Sequence, residues 1–473
     1  MKTNRFIYVL GGCLFIIGIA GCRKEVQVGA PVTQLVTNTV FSNDNTATSA
    51  ALSIYSQMIT NNLIWNIHRI TAISSDELTS YSTSQTSLDL YRNALNASTD
   101  ASSINIWTPL YNYIYQANAV TENLKNSSGV SATVKQQLTG ESIFLRAYFY
   151  FYLVNLYGDV PLVTSTDYKT NAVLARTPKA QVYQQIINDL RMAQSLLSSH
   201  YVDATDTATT TDHIRPTNWA ATALLARVYL YTESYDSAEL QASTVINNPL
   251  YQLPVDLTKV FLKNSSEAIW QLADDANSFW TGDGSNFILN APPSSGISRS
   301  TTISPQLFSS FETGDARKTA WINSYSSSGN VWYFPYKYED GNKATTVKEY
   351  TMLLRLSEQY LIRAESRAQQ GNLAGAVADL NSIRNRAGLA NYSGMADKAS
   401  LLAAIAHERQ VELFTEGDRW IDLKRTKTID AVMDGPTGVC LAKGGVWNAN
   451  KQLYPLLPAD ILNNSNLIQN LGY

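Results

Sequence analysis

Two stretches, ALLARVYLYTESYDSAELQASTVI (223–246) and EQYLIRAESRAQQGNLAGAVADLNSI (358–383), align when Ala226 is laid over Ala364. From Ala226, Tyr235 follows at +9, Ala238 at +12, Ala242 at +16 and Val245 at +19. From Ala364, Leu373, Ala376, Leu380 and Ile383 occupy the same offsets. Apolar residues recur in both at three- and four-residue steps, the period of an amphipathic helix. Small residues at the matched positions let two antiparallel helices cross closely.

Helix–turn–helix units of about 34 residues are the tetratricopeptide pattern. Outward from these two units the chain continues in helical segments: 46–64, 104–125, 133–157, 178–198 and 216–231 before the first unit's second helix at 235–247, then 353–370, 373–386 and 400–416. Pro178 and Pro216 stand at helix starts, and Gly158 and Pro161 end the helix at 133–157. Residues 78–103 are rich in Ser and Thr and read as loop. So does 250–350, which carries Pro292, Pro293, Pro305 and Pro335 among many Gly and Ser. The expected fold class is therefore mostly α: a tetratricopeptide-like scaffold of helical pairs with an irregular, loop-rich part. Long loops on a rigid scaffold are where function usually sits.

The amino terminus carries an address. Lys2 and Arg5 precede an apolar run at 6–20. That run is short for a membrane span of about 20 residues and suits a signal-peptide core. It ends in Ile19-Ala20-Gly21-Cys22, an aliphatic residue and two small ones before a Cys, the pattern of a bacterial lipoprotein box. Cleavage after Gly21 would leave Cys22 to carry lipid, and several acyl chains make such an anchor stable. Residues 22–45 then read as the anchor and tether. Of the three Cys, only Cys440 would remain free, so no intramolecular disulfide is expected.

Of 473 residues, 45% are hydrophobic and 16% charged, with 27 Tyr, which excludes a disordered chain. Lys+Arg 36 against Asp+Glu 39 gives −3, with no basic cluster, which argues against nucleic acid as a partner. The four His, at 68, 200, 213 and 407, have no zinc-ligand spacing, and no phosphate-binding glycine loop or GxSxG elbow occurs. No cofactor or metal is expected. Glu408, Glu412 and Glu416 share one helix face and are interleaved with Arg409 and followed by Arg419 and Arg425, a pattern of structural ion pairing. Asp76-Glu77 either lines a site or caps a turn.

The carboxyl-terminal third carries a resemblance. ERQVELFTEGDRWIDLKR (408–425) resembles the signature of the SusD/RagB family of nutrient-binding outer-membrane lipoproteins of Bacteroidetes. SIFLRAYFYFYLVNLYGDVPLV (142–163), RLSEQYLIRAESRAQQGN (355–372), AVADLNSIRNRAGL (376–389) and LYPLLPADILNNSNLIQNLGY (453–473) are similar to further segments of that family, in order along the chain. The resemblance implies a SusD-like fold and a non-enzymatic protein on the cell exterior. It implies a SusC-like TonB-dependent outer-membrane transporter as partner, to which captured glycans are passed. It gives a division into signal peptide (1–21), anchor and tether (22–45), N-terminal helical region (46–250), loop-rich candidate ligand region (251–350) and C-terminal helical region (351–473).

Ligand contacts are chosen on chemistry. Flat aromatics stack on the apolar faces of sugars, and Asn, Asp and Arg bind the hydroxyls. Loop aromatics select Tyr81, Trp280, Trp332 and Tyr333, with Asp283 and Asn286 as polar partners. Trp107, Trp219 and Trp420 lie on helical faces and are assigned to the core. A peptide-binding member of the same family is the alternative. A lipid-anchored glycoside hydrolase pairing Asp76 or Glu77 with an acid in 270–290 is a further alternative, since such an enzyme needs two carboxylates, and a pure tetratricopeptide adaptor for protein assembly, which would need no aromatic loop site, is another.

Overall fold

The computed structural model describes residues 37–273, 279–341, 345–395 and 397–473. The signal peptide, Cys22 and Asp274-Asp275 lie outside the described residues. The chain divides after Val40 into a first unit, of which Thr37–Val40 is described as one helical turn, and a second, Phe41–Tyr473.

The second unit is a stack of helices. Its α1 (Asp44–Thr60) and α2 (Leu63–Ser74) replace the single helix expected over 46–64; Asn62 adopts a left-handed conformation and breaks the run. The array proper is α3 (Trp107–Asn126), α4 (Ala132–Tyr157), α5 (Lys179–Leu196), α6 (Asn218–Tyr231) and α7 (Tyr235–Ile246), each packed on the one before. The residues expected as loop over 78–103 include a strand, β1 (Leu78–Ser80), and a short helix, Gln85–Tyr91.

After α7 the chain leaves the array. It forms β2 (Ala268–Leu272), the six-residue helix α8 (Gly282–Phe287), β3 (Thr301–Ile303), the hairpin β4 (Ile322–Ser327) and β5 (Asn330–Pro335), and β6 (Thr351–Arg355). Among the described residues three two-stranded antiparallel sheets result: β1 with β3, β2 with β6, and β4 with β5. The chain then rejoins the array as α9 (Leu356–Gln369), which packs directly on α7, followed by α10 (Leu373–Arg386) and α11 (Lys398–Leu413). The region between α7 and α9 is thus an excursion from a continuous helical stack. Arg227 on α6 donates to Glu358 on α9 at 2.6 Å across the junction.

The repeat positions form the array's contact surface. Ala226, Ala238, Ala242, Val245, Ala364, Ala376, Leu380 and Ile383 are all fully buried. Trp107 and Trp420 are buried and Trp219 half-buried, packed against the main core.

A buried ionic network ties the excursion to the array. Arg355, at the end of β6, donates to Glu267 at 2.8 Å, Glu412 at 2.6 Å and Glu416 at 2.7 Å. Arg317 donates to Glu408 at 2.6 Å and Glu412 at 2.9 Å. Lys337 reaches Glu416 at 2.5 Å and lies 4.0 Å from the Phe414 ring centroid. Burial pushes the Glu412 carboxyl upward, but Arg386, Arg355 and Arg317 outweigh it and hold the group well below the usual carboxylate range. Glu408 and Glu412 share a face of α11, whereas Glu416, expected on the same helix, lies beyond its end at Leu413; all three are structural partners of arginines.

The two repeat turns differ at one matched position. Gly371 has φ +86 with open space where a Cβ would stand, whereas Glu233, at the same +7 offset, has φ 57. A non-glycine residue in this conformation costs about 1–2 kcal/mol. Gly371→Ala is expected to lower unfolding free energy by about 1 kcal/mol through backbone strain alone. Glu233→Gly is expected to raise it by about 0.5 kcal/mol, once the added freedom of the unfolded chain is subtracted. Calorimetric melting of the two variants checks both signs.

Candidate functional site

A cavity of about 240 Å³ opens where the end of α1, the start of α2, the end of β2 and α8 meet. Asn61 and Asn62 end α1 and turn the chain so that the first turn of α2 faces α8. Gly282 allows the close approach, since a Cβ there would stand 3.1 Å from both Asn62 Oδ1 and Trp65 Cβ. At Gly284 a Cβ would stand 2.5 Å from the Asp340 carbonyl oxygen, so no side chain fits. Thr281 caps α8 by accepting from the Gly284 N–H at 2.9 Å.

Two indoles line this cavity, Trp65 and Trp280, both half-buried. Trp65 carries the Arg69 guanidinium 5.3 Å from its ring centroid, a cation–π contact that fixes the ring's orientation. Burial lowers the Arg69 pKa to about 10. Asp283 and Asn286 also line the cavity, so the structure brings three of the sequence-selected residues together. Both polar side chains have partners in the wall. Asp283 is 3% exposed and its Oδ2 lies 2.9 Å from His68 Nδ1. Asn286 donates to the Gly282 carbonyl at 2.7 Å and accepts from Ser298 at 2.5 Å. Their side chains shape the cavity and the loop beside it.

Tyr81, Trp332 and Tyr333 are not among the lining residues. Tyr81 follows β1, is 41% exposed, and donates its N–H to the Ser300 carbonyl at 2.7 Å. Trp332 and Tyr333 lie on β5, which runs beside β3. Trp332 stacks at 6.3 Å on Tyr325, and Tyr333 lies 4.3 Å from Phe308. The 294–300 loop links Tyr81 to the cavity side: Arg299 donates its backbone N–H to the Asn286 carbonyl at 2.8 Å, while Ser300 holds Tyr81.

Trp65 escaped the sequence reading, which ended the first helix at residue 64. Nearly all of α2 is buried, and only Trp65 and Asn66 in it are half-buried. No polar face of the helix marks Trp65, so the periodicity of the sequence gives no signal for it.

A second cavity, about 470 Å³, shares Ile59, Thr60, Leu272 and Ala273 with the first and extends toward Val202, Asp212 and Arg215. Among the described residues no group of three His, Cys, Asp or Glu is placed to hold a metal ion. No helix among them is long and apolar enough to cross a membrane.

Comparison with known proteins places these features. Residues 32–230 match a family model described as starch-binding associating with outer membrane, and residues 314–473 match the SusD family model. The SusD-like protein P2 of Formosa agariphila is 26% identical over 416 residues, covering 77% of this chain and 79% of that protein. Among solved structures, a laminarin binding SusD-like protein superposes with a TM-score of 0.72 at 23% identity, covering 91% of this chain and 100% of that one. Surface glycan-binding protein A from Bacteroides uniformis superposes with a TM-score of 0.75 at 19% identity, covering 90% and 99%. At these identities the structural likeness concerns the fold.

The acidic pair outside the cavity has a wall role. Asp76 accepts from Arg419 at 2.8 and 2.7 Å and from Gln410 at 3.0 Å. Glu77 is 1% exposed and accepts from the Thr415 N–H at 3.2 Å. Neither lines the cavity that Trp280 lines, so the geometry does not pair them with Asp283 as a glycosidase would require. Burial, with the neighbouring Asp76 charge, pushes the Glu77 carboxyl up to about 8. A raised carboxyl pKa means the folded state holds a proton that the unfolded state releases near 4.5. The resulting stability is fully present below that value and is lost as pH rises through about 8. Glu77→Gln is therefore expected to be more stable than wild type at pH 8, by on the order of 2 kcal/mol, with the difference shrinking toward pH 5. Urea titrations across that range test the sign.

Proposed function

We propose that this chain, which belongs to the SusD/RagB family, is a lipid-anchored outer-membrane protein that captures glycans and passes them to a SusC-like TonB-dependent transporter. The observation that carries the reading is the cavity shared by Trp65 and Trp280, two indoles beside a rim of Asn62, Ser285 and Asn286. Indole faces stack on the apolar C–H faces of sugars, and a polar rim meets the hydroxyls. The printed descriptions of the family model and of two fold neighbours, starch-binding, laminarin binding and surface glycan-binding, support the same ligand class. Tyr81, Trp332 and Tyr333 form a further aromatic group beyond the 294–300 loop, available to later residues of a long chain. Cys22 provides the anchor, and the transporter provides the exit.

Affinity electrophoresis of the detergent-extracted protein through polysaccharide gels tests the reading. Retardation by a glycan that is not shortened is expected; shortening overturns the binding-protein reading, and retention of peptides alone moves the cargo to peptide. Trp280→Ala and Trp65→Ala are each expected to weaken glycan binding by about tenfold, taking stacking at about 1–3 kcal/mol per ring. Metabolic labelling with radioactive palmitate is expected to mark the wild-type chain and to fail in Cys22→Ser.

A further inference from the structure

The two cavities meet along a common wall. Ile59 and Thr60, the last residues of α1, and Leu272 and Ala273, at the end of β2, line both. Small-molecule sites usually occupy about 300–1,000 Å³. The first cavity, at about 240 Å³, falls short of that range alone, and the second, at about 470 Å³, extends it into the range. The joined cleft suits several sugar units in a row.

Its charge is one-sided. Among the described residues, the only ionisable one lining the first cavity is Asp283, and its carboxylate faces His68 in the wall. The second is lined by Asp203, Asp212 and Arg215. Arg215 is spent inside the wall: it donates to Glu141 at 2.6 and 3.3 Å, to Asp206 and to the Asp203 carbonyl. Asp203 is held below its ordinary pKa by the Thr205 hydroxyl, and Asp212 accepts from Asn264 at 2.8 Å. Of the neighbouring described cations, Arg69 is buried against the Trp65 ring, outside the lining and with its Nε unpartnered, and Arg299 donates to the Ser285 carbonyl at 3.1 Å and to Asn290 at 3.4 Å. The six-residue α8 has its first turn capped by Thr281 and carries Asp283 there. A sulfate or uronate in this cleft meets carboxylates, and among the described residues the one cation lining it, Arg215, already faces Glu141 and Asp206, while a desolvated charge without a partner is expensive.

Resting on the glycan-binding reading, we infer that the two cavities form one extended cleft that takes a neutral oligosaccharide and rejects uronic-acid and sulfated chains. Isothermal titration of the detergent-extracted full chain tests this with two sets of hexasaccharides. The neutral set is β-1,3-, β-1,4- and α-1,4-linked glucose and β-1,4-linked xylose; the acidic set is galacturonate, mannuronate and sulfated galactose. Binding confined to the neutral set is expected, by at least about tenfold, which is the effect of one unit charge about 6 Å away at intermediate dielectric. Its affinity is expected to be insensitive to salt. Thr60→Lys places a cation on the common wall at an exposed helix end, and is expected to narrow the gap by about tenfold. Ala204→Trp, at an exposed position lining the second cavity alone, is expected to weaken hexasaccharides and leave disaccharides unchanged.

Acidic chains bound as tightly as neutral ones overturn the charge selection while the glycan reading stands. Unchanged hexasaccharide affinity in Ala204→Trp overturns the joined cleft. Binding of neither set removes the glycan reading and this inference with it.

Discussion

One guanidinium holds the molecule's two parts in register. Arg355 sits where β6 ends and α9 begins, 1% exposed, and meets glutamates from three places: Glu267 before β2, Glu412 on α11 and Glu416 beyond it. An arginine so buried is tolerable only because five donors in a fixed fork find acceptors. The same condition constrains everything around it. Glu412 needs Arg317 and Arg386 as well, and Glu416 needs Lys337. Removing one partner of such a pair leaves a bare charge and typically costs about 3–5 kcal/mol, although an apolar replacement of the whole set can be neutral. The network is thus a specifier of geometry more than a source of stability. It dictates how the excursion returns to the array, and so where β2 and its cavity wall stand relative to α1 and α2.

Much of the scaffold was legible because it is periodic. Ala226, Ala238, Ala364 and Ala376 announce close helix crossings, and all four are buried where the pattern puts them. The interleaving of Glu408, Arg409 and Glu412 announced ion pairs, although not their partners, which come from positions as distant as Arg317 and Arg355. The breaks were harder. Nothing in a hydrophobic stripe forces the helix to stop at Asn61-Asn62, and only the left-handed conformation of Asn62 does so. Short pieces such as Leu78–Ser80 take their structure from a partner strand more than two hundred residues away, which local reading does not see.

The site was legible by residue type and not by role. Trp280, Asp283 and Asn286 converge because α8 is a tight, glycine-permitted turn, and TGDGSN (281–286) reads as such. Asp283 and Asn286 look exposed in sequence and are bonded into the wall in the fold. Trp65 has the opposite history, hidden in a helix by sequence and turned to the cavity by the break before it.

The direct packing of α7 on α9 has an evolutionary meaning. The chain departs from the stack and comes back to nearly the same place, so everything between behaves as an exchangeable cassette. Loops there are free to change while the helical frame keeps its shape. The freedom is bounded at the anchoring points: a transplanted cassette has to bring its own equivalents of Arg317, Lys337 and Arg355, or the frame's Glu408, Glu412 and Glu416 lose those counter-charges. Variation of the loops and constancy of the frame are thereby separated along a single polypeptide.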